Sequence, residues 1–556
     1  MRVRISESFD SFRRLRESGS YYADKTDMIR QYLTESFKSA ILFARPRRFG
    51  KSLTMTMFRD FLDIRQDSRA LFEGLKIMES PEVVEGFMNQ YPVIFLSLKE
   101  VFGEDFDQVF NSFQTAVSKI CDTHEYLLNS EKVSEPHKEF FRALQRRESR
   151  KAFTEQGLDL LCEMLHAHYG KPVFVIVDEY DVPMAKALGT SAYDRVRDMI
   201  EHMLSYVCKT NDHVKAVMLS GCLYTVKNST YTGVNNIIPY TVLSPVYASS
   251  IGFTDEDVRR LLAEANLSDR METVAEWYDG YLFGRDKMYC PWDVLRYVNS
   301  VLEGSYSEAM GPESYWANSS ETALDVIHGF LGKTPGVSES FERLLAGESI
   351  YCPVNDLLPY HRIHESGDNL WSALLETGYL TKAVTERMPI MPLRIPNREI
   401  QIVFRQEVWI YFRDRIENGF VTDLVNALWA GEIERAGKAL DQILEATLSF
   451  YHEYHEYSYH LILDGFFTGM GYRVISELET GYGRSDLIIL DPARQRGMVL
   501  ELKHVKNASE IPAALTEASS QMLRQKYDSF LKHHGYAHCL QYAIALHDKR
   551  GMIRKN

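Results

Sequence analysis

The sequence predicts an α/β protein with a parallel sheet in its N-terminal half, a mostly helical middle region and a second, smaller α/β domain at the C-terminal end. Three observations carry that expectation. Over residues 1–250, apolar runs at 40–44, 92–98, 173–178 and 214–220 alternate with helix-compatible stretches, the pattern of a parallel sheet covered on both faces. From 251 to about 440 the chain reads as helical, opening at Thr254-Asp255-Glu256-Asp257 with the signature of a capped helix start. Over 441–556 two apolar strands, 487–490 and 499–502, flank a turn containing Pro492 and Gly497, with helical stretches on either side.

The first sheet carries a phosphate-binding pattern. Strand 39–44 runs directly into Arg45-Pro46-Arg47-Arg48-Phe49-Gly50-Lys51-Ser52 and then into the helical run 53–62. Strand, loop, helix is the context in which main-chain N–H groups at a helix start cradle phosphates, Lys51 reaches the β/γ oxygens and the Ser52 hydroxyl ligates Mg²⁺. Arg45 stands where the first Gly of such a loop is usual, and with the rest of the loop it is expected to contact the nucleotide. The apolar run 173–177 ends in Asp178-Glu179, at the strand edge where open α/β sheets place their ligands. Asp178 is expected to hold the Mg²⁺ shell and Glu179 to orient or deprotonate the attacking water. Asp-Glu alone is commonly a solvated turn; its partnership with Gly50-Lys51-Ser52 makes it a nucleotide site, with ATP the expected cofactor. Ser220, closing strand 214–220, is the candidate sensor of the terminal phosphate, and Arg47 and Arg48 supply cations within the loop.

The C-terminal hairpin carries a second chemistry. Gly481-Tyr482-Gly483-Arg484-Ser485-Asp486 leads into one strand, and the next reads Val499-Leu500-Glu501-Leu502-Lys503. Side chains alternate along a strand, so Glu501 and Lys503 project from one side, with Asp486 opening the neighbouring strand. Two carboxylates offer hard oxygen ligands to Mg²⁺ or Mn²⁺, and an ammonium beside them can hold a water and offset charge on a phosphate. An isolated Glu-x-Lys is more often a solvated cross-strand pair; here the Gly-x-Gly-Arg-x-Asp before it and the helices around it favour a phosphodiesterase site.

At these residues the sequence resembles the PD-(D/E)XK nuclease superfamily, in the form fused behind an AAA-ATPase-like domain. Glu456-Tyr457-Ser458-Tyr459-His460 resembles the first core helix, Gly471-Tyr472-Arg473-Val474-Ile475 the first strand, and Ala518-Ser519-Ser520-Gln521-Met522 the helix after the active hairpin. The resemblance implies a restriction-endonuclease-like α/β domain in which Glu456 completes the acidic site, behind a P-loop NTPase-like sheet. It also covers the Arg-Pro-Arg-Arg-Phe-Gly-Lys-Ser form of the loop, the Thr232-Gly233-Val234-Asn235-Asn236 stretch and the aromatic pieces around Trp277, Trp292 and Trp316, which read as packing anchors. Tyr224 stands where members of the family often carry an Arg.

Composition sets bounds on partners. The 556 residues carry a net charge of −14, which argues against broad electrostatic capture of nucleic acid, although Lys503, Lys506, Arg524, Lys532, Lys549 and Arg550 form local basic groups near the second site. The seven cysteines show no C-x-x-C pairs, and the start lacks the apolar core of a signal peptide, so a cytoplasmic protein with reduced thiols is expected. His452, His455 and His460 surround Glu456, but a helix with His at its polar seam outweighs zinc. No apolar run approaches membrane-span length. The expected function is an ATP-regulated nuclease acting on DNA, RNA less so, in defence or in processing of mobile DNA; self-association as a homo-oligomer is left open. The alternative is a nucleotide-dependent switch whose nuclease-like domain grips nucleic acid or a protein without cutting.

Overall fold

The computed structural model describes residues 3–6, 10–35, 37, 39–209, 211–224, 234–307, 311–316, 337–345, 347–413, 418–447, 456–476, 479–480, 483–484, 487–525, 531–532, 536 and 538–556. The chain divides into two compact units, Met1–Ser307 with Pro312–Val326 and Tyr351–Glu399, and Glu308–Gly311 with Ile327–Ile350 and Ile400–Asn556. The stretch 251–440 thus contributes to both.

In the first unit β1 (Ala40–Ala44), β2 (Val93–Ser97), β3 (Val173–Asp178), β4 (Val214–Gly221) and β5 (Ile238–Tyr240) form a parallel sheet in the order β2-β3-β4-β1-β5. All of β1 and β3 is buried, as a strand covered on both faces must be. β4 therefore lies between the strand that feeds the phosphate loop and the one that ends in Asp178. The fifth strand is Ile-Pro-Tyr, too short for its apolar pattern to announce it, and its Pro suits an edge position. Helices α1 (Lys51–Leu62), α2 (Phe106–Thr123), α3 (Gly157–Tyr169) and α4 (Tyr193–Cys208) accompany the sheet. Beyond it, Thr254 and Asp257 cap α5 (Asp255–Glu264) reciprocally, as the sequence predicts, and α6 (Pro291–Glu303) starts with Pro at a position where its missing N–H is harmless.

The second unit holds a mixed sheet, β6 (Arg473–Ser476), β7 (Leu487–Asp491), β8 (Arg496–His504), β9 (His538–His547) and β10 (Arg550–Lys555), in sequential order. β7 and β8 pair antiparallel with Leu487 opposite Leu500, while β8 and β9 pair parallel with Glu501 opposite Ala543. β8 is thus central, and its 498–502 run is buried. Helices α7 (Asn418–Ala430) and α8 (Ile433–Thr447) form a hairpin against this sheet, where Asp441 accepts from Gly551 N–H at 2.8 Å. They are followed by α9 (Glu456–Gly469) and α10 (Ile511–Gln525). Val499, Val505, Ala543 and Ala545 meet Leu515, Ala518 and Met522 of α10 in one apolar cluster. At ~1.5–3 kcal/mol per buried large apolar side chain, this layer fixes the strand register, since a one-residue slip would turn Glu501 to the other face.

Candidate functional site

The phosphate loop is shaped by one glycine and one buried arginine. Gly50 caps α1 with φ +96°, and a Cβ there would meet nothing within 4 Å; the left-handed backbone, rather than lack of space, demands Gly. Arg48 also has a positive φ, +66°, and its guanidinium stacks on the Trp292 ring at 4.1 Å and donates to Tyr315 O at 3.3 Å. Arg45, expected to touch the nucleotide, is instead wholly buried. Its guanidinium donates to the carbonyls of Ala44, Tyr240 and Tyr247 at 2.8, 2.8 and 2.9 Å, so it braces the loop from within the core and does not line the cavity. Desolvation lowers it to about 10, which leaves it charged at neutral pH.

Lys51 is 3% exposed and its Nζ donates to the carbonyls of Arg45 and Pro46, both at 3.1 Å. It lies 3.7 Å from Cys222 Sγ and 3.8 Å from Glu179 Oε1. Burial alone would lower its pKa, but Cys222, Glu179, Asp181 and Asp178 hold it above the ordinary lysine value. These partners keep the buried ammonium charged, and Lys51 also lines the adjoining cavity.

The sheet's carboxyl edge supplies the acids. Ser220 donates to Asp178 Oδ1 at 2.5 Å and Ser52 also hydrogen-bonds Asp178, so two neighbouring strands and the first turn of α1 bring three expected residues into one hydrogen-bonded group. Burial raises the Asp178 pKa, opposed by those hydroxyls and by Lys51. Glu179 sits at φ +54°, unusual for a residue with a Cβ, and its N–H donates to Ser220 Oγ at 3.2 Å. Asp181, absent from the sequence expectations, accepts from Cys222 and Leu223 N–H and from the Tyr360 hydroxyl at 2.8, 3.0 and 3.1 Å. A Cβ on Gly221 would lie 2.7 Å from Asp181 Oδ1, so the Ser220-Gly221 pair is needed for this close approach.

A cavity of about 660 Å³ opens over these groups, lined by Arg47, Arg48, Gly50, Lys51, Ser52 and Glu179 among others. Arg47 is raised: burial lowers it, but Cys222, Tyr360, Asp181 and Glu179 outweigh that. Tyr22, Phe253 and Trp292 complete the wall. Their spacing along the chain hides them from sequence reasoning; the Pro-Trp-Asp helix start at 291–293 was the signal, read as a packing anchor.

In the second unit Glu501 is fully buried on central β8, and Lys503 Nζ lies 3.9 Å from its Oε1, the same-side placement that strand alternation predicts. The Tyr459 ring of α9 stacks on His504 at 5.6 Å, and Tyr459 donates to Asp548 O at 2.6 Å, tying that helix to the hairpin. Asp486 lies outside the described residues, as do Gly481, Tyr482 and Ser485, His452 and His455, and Thr232 and Gly233. Glu456 begins α9, but its side chain is likewise outside the description. Among the described residues no three His, Cys, Asp or Glu side chains are gathered as a metal cluster, and no helix is long and apolar enough to cross a membrane.

Residues 7–231 match the family described as predicted AAA-ATPase, and residues 454–556 match the PD-(D/E)XK nuclease superfamily. The chain joins an AAA-ATPase-like domain to a PD-(D/E)XK nuclease-superfamily domain. It is similar, at 26% identity over 407 residues, to an uncharacterized protein in the vnfD 5' region of Azotobacter chroococcum mcd 1, with 72% of this chain and 69% of that protein covered. The pairing of an ATPase-like and a nuclease-superfamily domain indicates a nucleotide-dependent nuclease.

Proposed function

We propose that this AAA-ATPase-like nuclease binds ATP with a divalent cation at the phosphate loop and uses that binding to control Mg²⁺- or Mn²⁺-dependent hydrolysis of phosphodiester bonds in DNA. The observation that carries the reading is the convergence of Lys51, Ser52 and Glu179 at one cavity, with Asp178 hydrogen-bonded to Ser52 and Ser220 beside them, in a chain that also keeps Glu501 and Lys503 side by side. Ser52 and Asp178 offer a hydroxyl and a carboxylate, donors suited to Mg²⁺, and Lys51 and Arg47 offer cations for phosphates. Glu179, lining the same cavity, orients or deprotonates the attacking water. In the nuclease domain Glu501 is the described member of the acidic set, with Asp486 and Glu456 as proposed partners, and Lys503 holds a water beside it. A bound divalent cation supplies Lewis-acid stabilisation of the phosphate charge.

Retention of both Glu501 and Lys503 favours cutting over mere gripping, since a domain that only grips has no need of an ammonium beside a buried carboxylate. The net charge of −14 leaves little general attraction for DNA, so control through nucleotide is a reasonable source of affinity. The proposed setting is a cytoplasmic protein acting on foreign or mobile DNA. The test is incubation of supercoiled plasmid, linear duplex, single-stranded DNA and RNA with Mg²⁺ or Mn²⁺, with and without a non-hydrolysable ATP analogue. DNA should be cut only with metal, and the analogue should change DNA affinity by roughly five- to hundredfold, the usual span of coupling free energies. Metal-independent cleavage, or identical affinity and rate with and without analogue, would remove the reading.

A further inference from the structure

Lys51 is supported from two directions, and one stretch of chain stands behind both supports. Its ammonium donates to the Pro46 carbonyl at 3.1 Å, and Asp181 is one of the groups that keep it charged against the cost of burial. Pro46 packs on Gly378: a Cβ on that glycine would lie 2.8 Å from Pro46 Cβ and 3.0 Å from its Cγ, and the backbone there is left-handed at φ +89°. Asp181 accepts from the hydroxyl of buried Tyr360 at 3.1 Å. Arg45, whose carbonyl is the other main-chain acceptor of Lys51, has the buried Glu376 carboxyl acting on its guanidinium.

Tyr360, Glu376 and Gly378 move as one body. A helix runs over Gly367–Thr377 and ends at Gly378; the turn Tyr360–Glu365 packs on it, with Asn369 Nδ2 donating to Arg362 O at 2.6 Å. The Asn355 N–H donates to Ser372 Oγ of the same helix at 3.0 Å, which ties in the stretch before the turn. Along the chain this body is an excursion. Tyr351–Glu399 packs with the first unit, whereas Ile350 before it and Ile400 after it belong to the second. The excursion also lies outside both segments that match known families, 7–231 and 454–556.

A phosphate that draws Lys51 towards the cavity takes a donor from the Pro46 carbonyl and sets a new anion against the charge of Asp181. Both changes fall on residues that the excursion holds. We infer that residues 351–399 are the segment through which nucleotide binding acts on the second unit, with Tyr360 and Gly378 as its positioning residues at Asp181 and Pro46. The inference rests on the proposed control of the nuclease by nucleotide and names its route. A body bonded to both supports of Lys51 must follow them or lose a contact, and its chain continues into the second unit at either end. Removing one contact therefore lowers the coupling while leaving both ligands' own contacts in place.

Two titrations of the full chain test it, with Ca²⁺ in place of Mg²⁺ to hold the duplex intact. Fluorescence anisotropy reads the affinity for a labelled DNA duplex with and without a non-hydrolysable ATP analogue, and calorimetry reads the affinity for the analogue with and without duplex. Tyr360→Phe keeps the ring and loses one hydroxyl. In that variant the DNA affinity without analogue should stay within about twofold of wild type, while the factor by which the analogue changes it should fall by about threefold or more, and the reciprocal factor by the same amount. Gly378→Ala, which drives a methyl group into Pro46, should lower the factor further; where it fails to fold, Tyr360→Phe decides. A hydroxyl with only a structural role would weaken binding and leave the factor alone. A wild-type factor in Tyr360→Phe overturns the inference, and so does a loss of nucleotide-free DNA affinity that accounts for the whole change. A wild type whose DNA affinity ignores the analogue would instead remove the reading of nucleotide control beneath it.

Discussion

The two candidate sites use buried charge in opposite ways. In the ATPase-like domain Lys51 is sealed at 3% exposure and held by two carbonyls and by Glu179, with a large cavity beside it. In the nuclease-superfamily domain it is the carboxylate, Glu501, that is sealed, while Lys503 keeps 22% of its side chain in contact with solvent. A sealed cation favours an incoming anion such as a phosphate; a sealed carboxylate favours an incoming cation such as a metal ion. On the proposed reading the first ligand differs between the domains, nucleotide for one and divalent metal for the other.

The sharpest way to break the contrast is at the hairpin. If Glu501 is a metal ligand and Lys503 acts on the water, Glu501→Gln and Lys503→Ala should each cut the cleavage rate by about 10²–10⁴-fold, the range for a lost acid–base or ligand group. Only Glu501→Gln should weaken Mn²⁺ binding in a titration monitored by calorimetry. Circular dichroism should show both variants folded, since neither changes the volume of the core greatly. Equal loss of metal affinity in both would mean that Lys503 merely positions Glu501, and wild-type cleavage in Lys503→Ala would end the assignment.

Much of this was legible in the sequence because it is local. A strand, a loop and a helix are contiguous, so β1, the Gly50-Lys51-Ser52 turn and α1 can be read in one pass, and the alternation of β8 places Glu501 beside Lys503 without knowledge of the rest. Strand order is not local. That Ser220 donates to Asp178 follows from β4 lying next to β3, and the apolar runs alone do not order the strands. The aromatic wall is less local still, since Tyr22, Phe253 and Trp292 are brought to one cavity by tertiary packing. Arg45 shows the converse. Its position in the loop suggested a phosphate contact, but a guanidinium with three carbonyls to satisfy is worth more to the core than to solvent.

A second comparison lies inside the first unit, between the acids of the sheet edge, which have Lys51 beside them, and a buried pair of acids that meet each other. Asp293 and Glu399 are both buried and share a hydrogen bond; Glu399 accepts from Trp316 N–H at 2.6 Å, and desolvation raises Asp293 to about 6, opposed by its hydrogen bonds with Cys290 and Glu399 and by the charge of Arg48. The folded value lies above the ordinary 3.8, so the folded state binds the extra proton and stability is lost as pH rises from about 4 through about 6. Asp293→Asn removes the charge while keeping the shape. It should therefore raise thermal stability at pH 7.5, by an amount of order 1–3 kcal/mol, and by much less at pH 5. A stabilisation that is equal at both pH values, or a loss at pH 7.5, would show that the carboxylate is satisfied as an anion and that the two kinds of buried acid do not differ.

The smallest effect concerns Glu179, where function and backbone preference pull apart. At φ +54° a residue with a Cβ is strained by about 1 kcal/mol relative to Gly, and the strain is retained at the position where a carboxylate faces both Lys51 and the cavity. Two substitutions separate the two roles. Glu179→Gln keeps the strain and the shape but loses the charge, so ATP should still bind while turnover slows. Glu179→Gly loses the side chain and the strain together; it also frees Lys51 from one partner, which offsets part of the gain, so the net rise in unfolding free energy should be no more than about 1 kcal/mol. Denaturant titration of the two variants side by side reads the difference. If Glu179→Gly is no more stable than Glu179→Gln, the positive φ is not a cost that the side chain's position imposes, and the turn after Asp178 is held in this shape for reasons of its own.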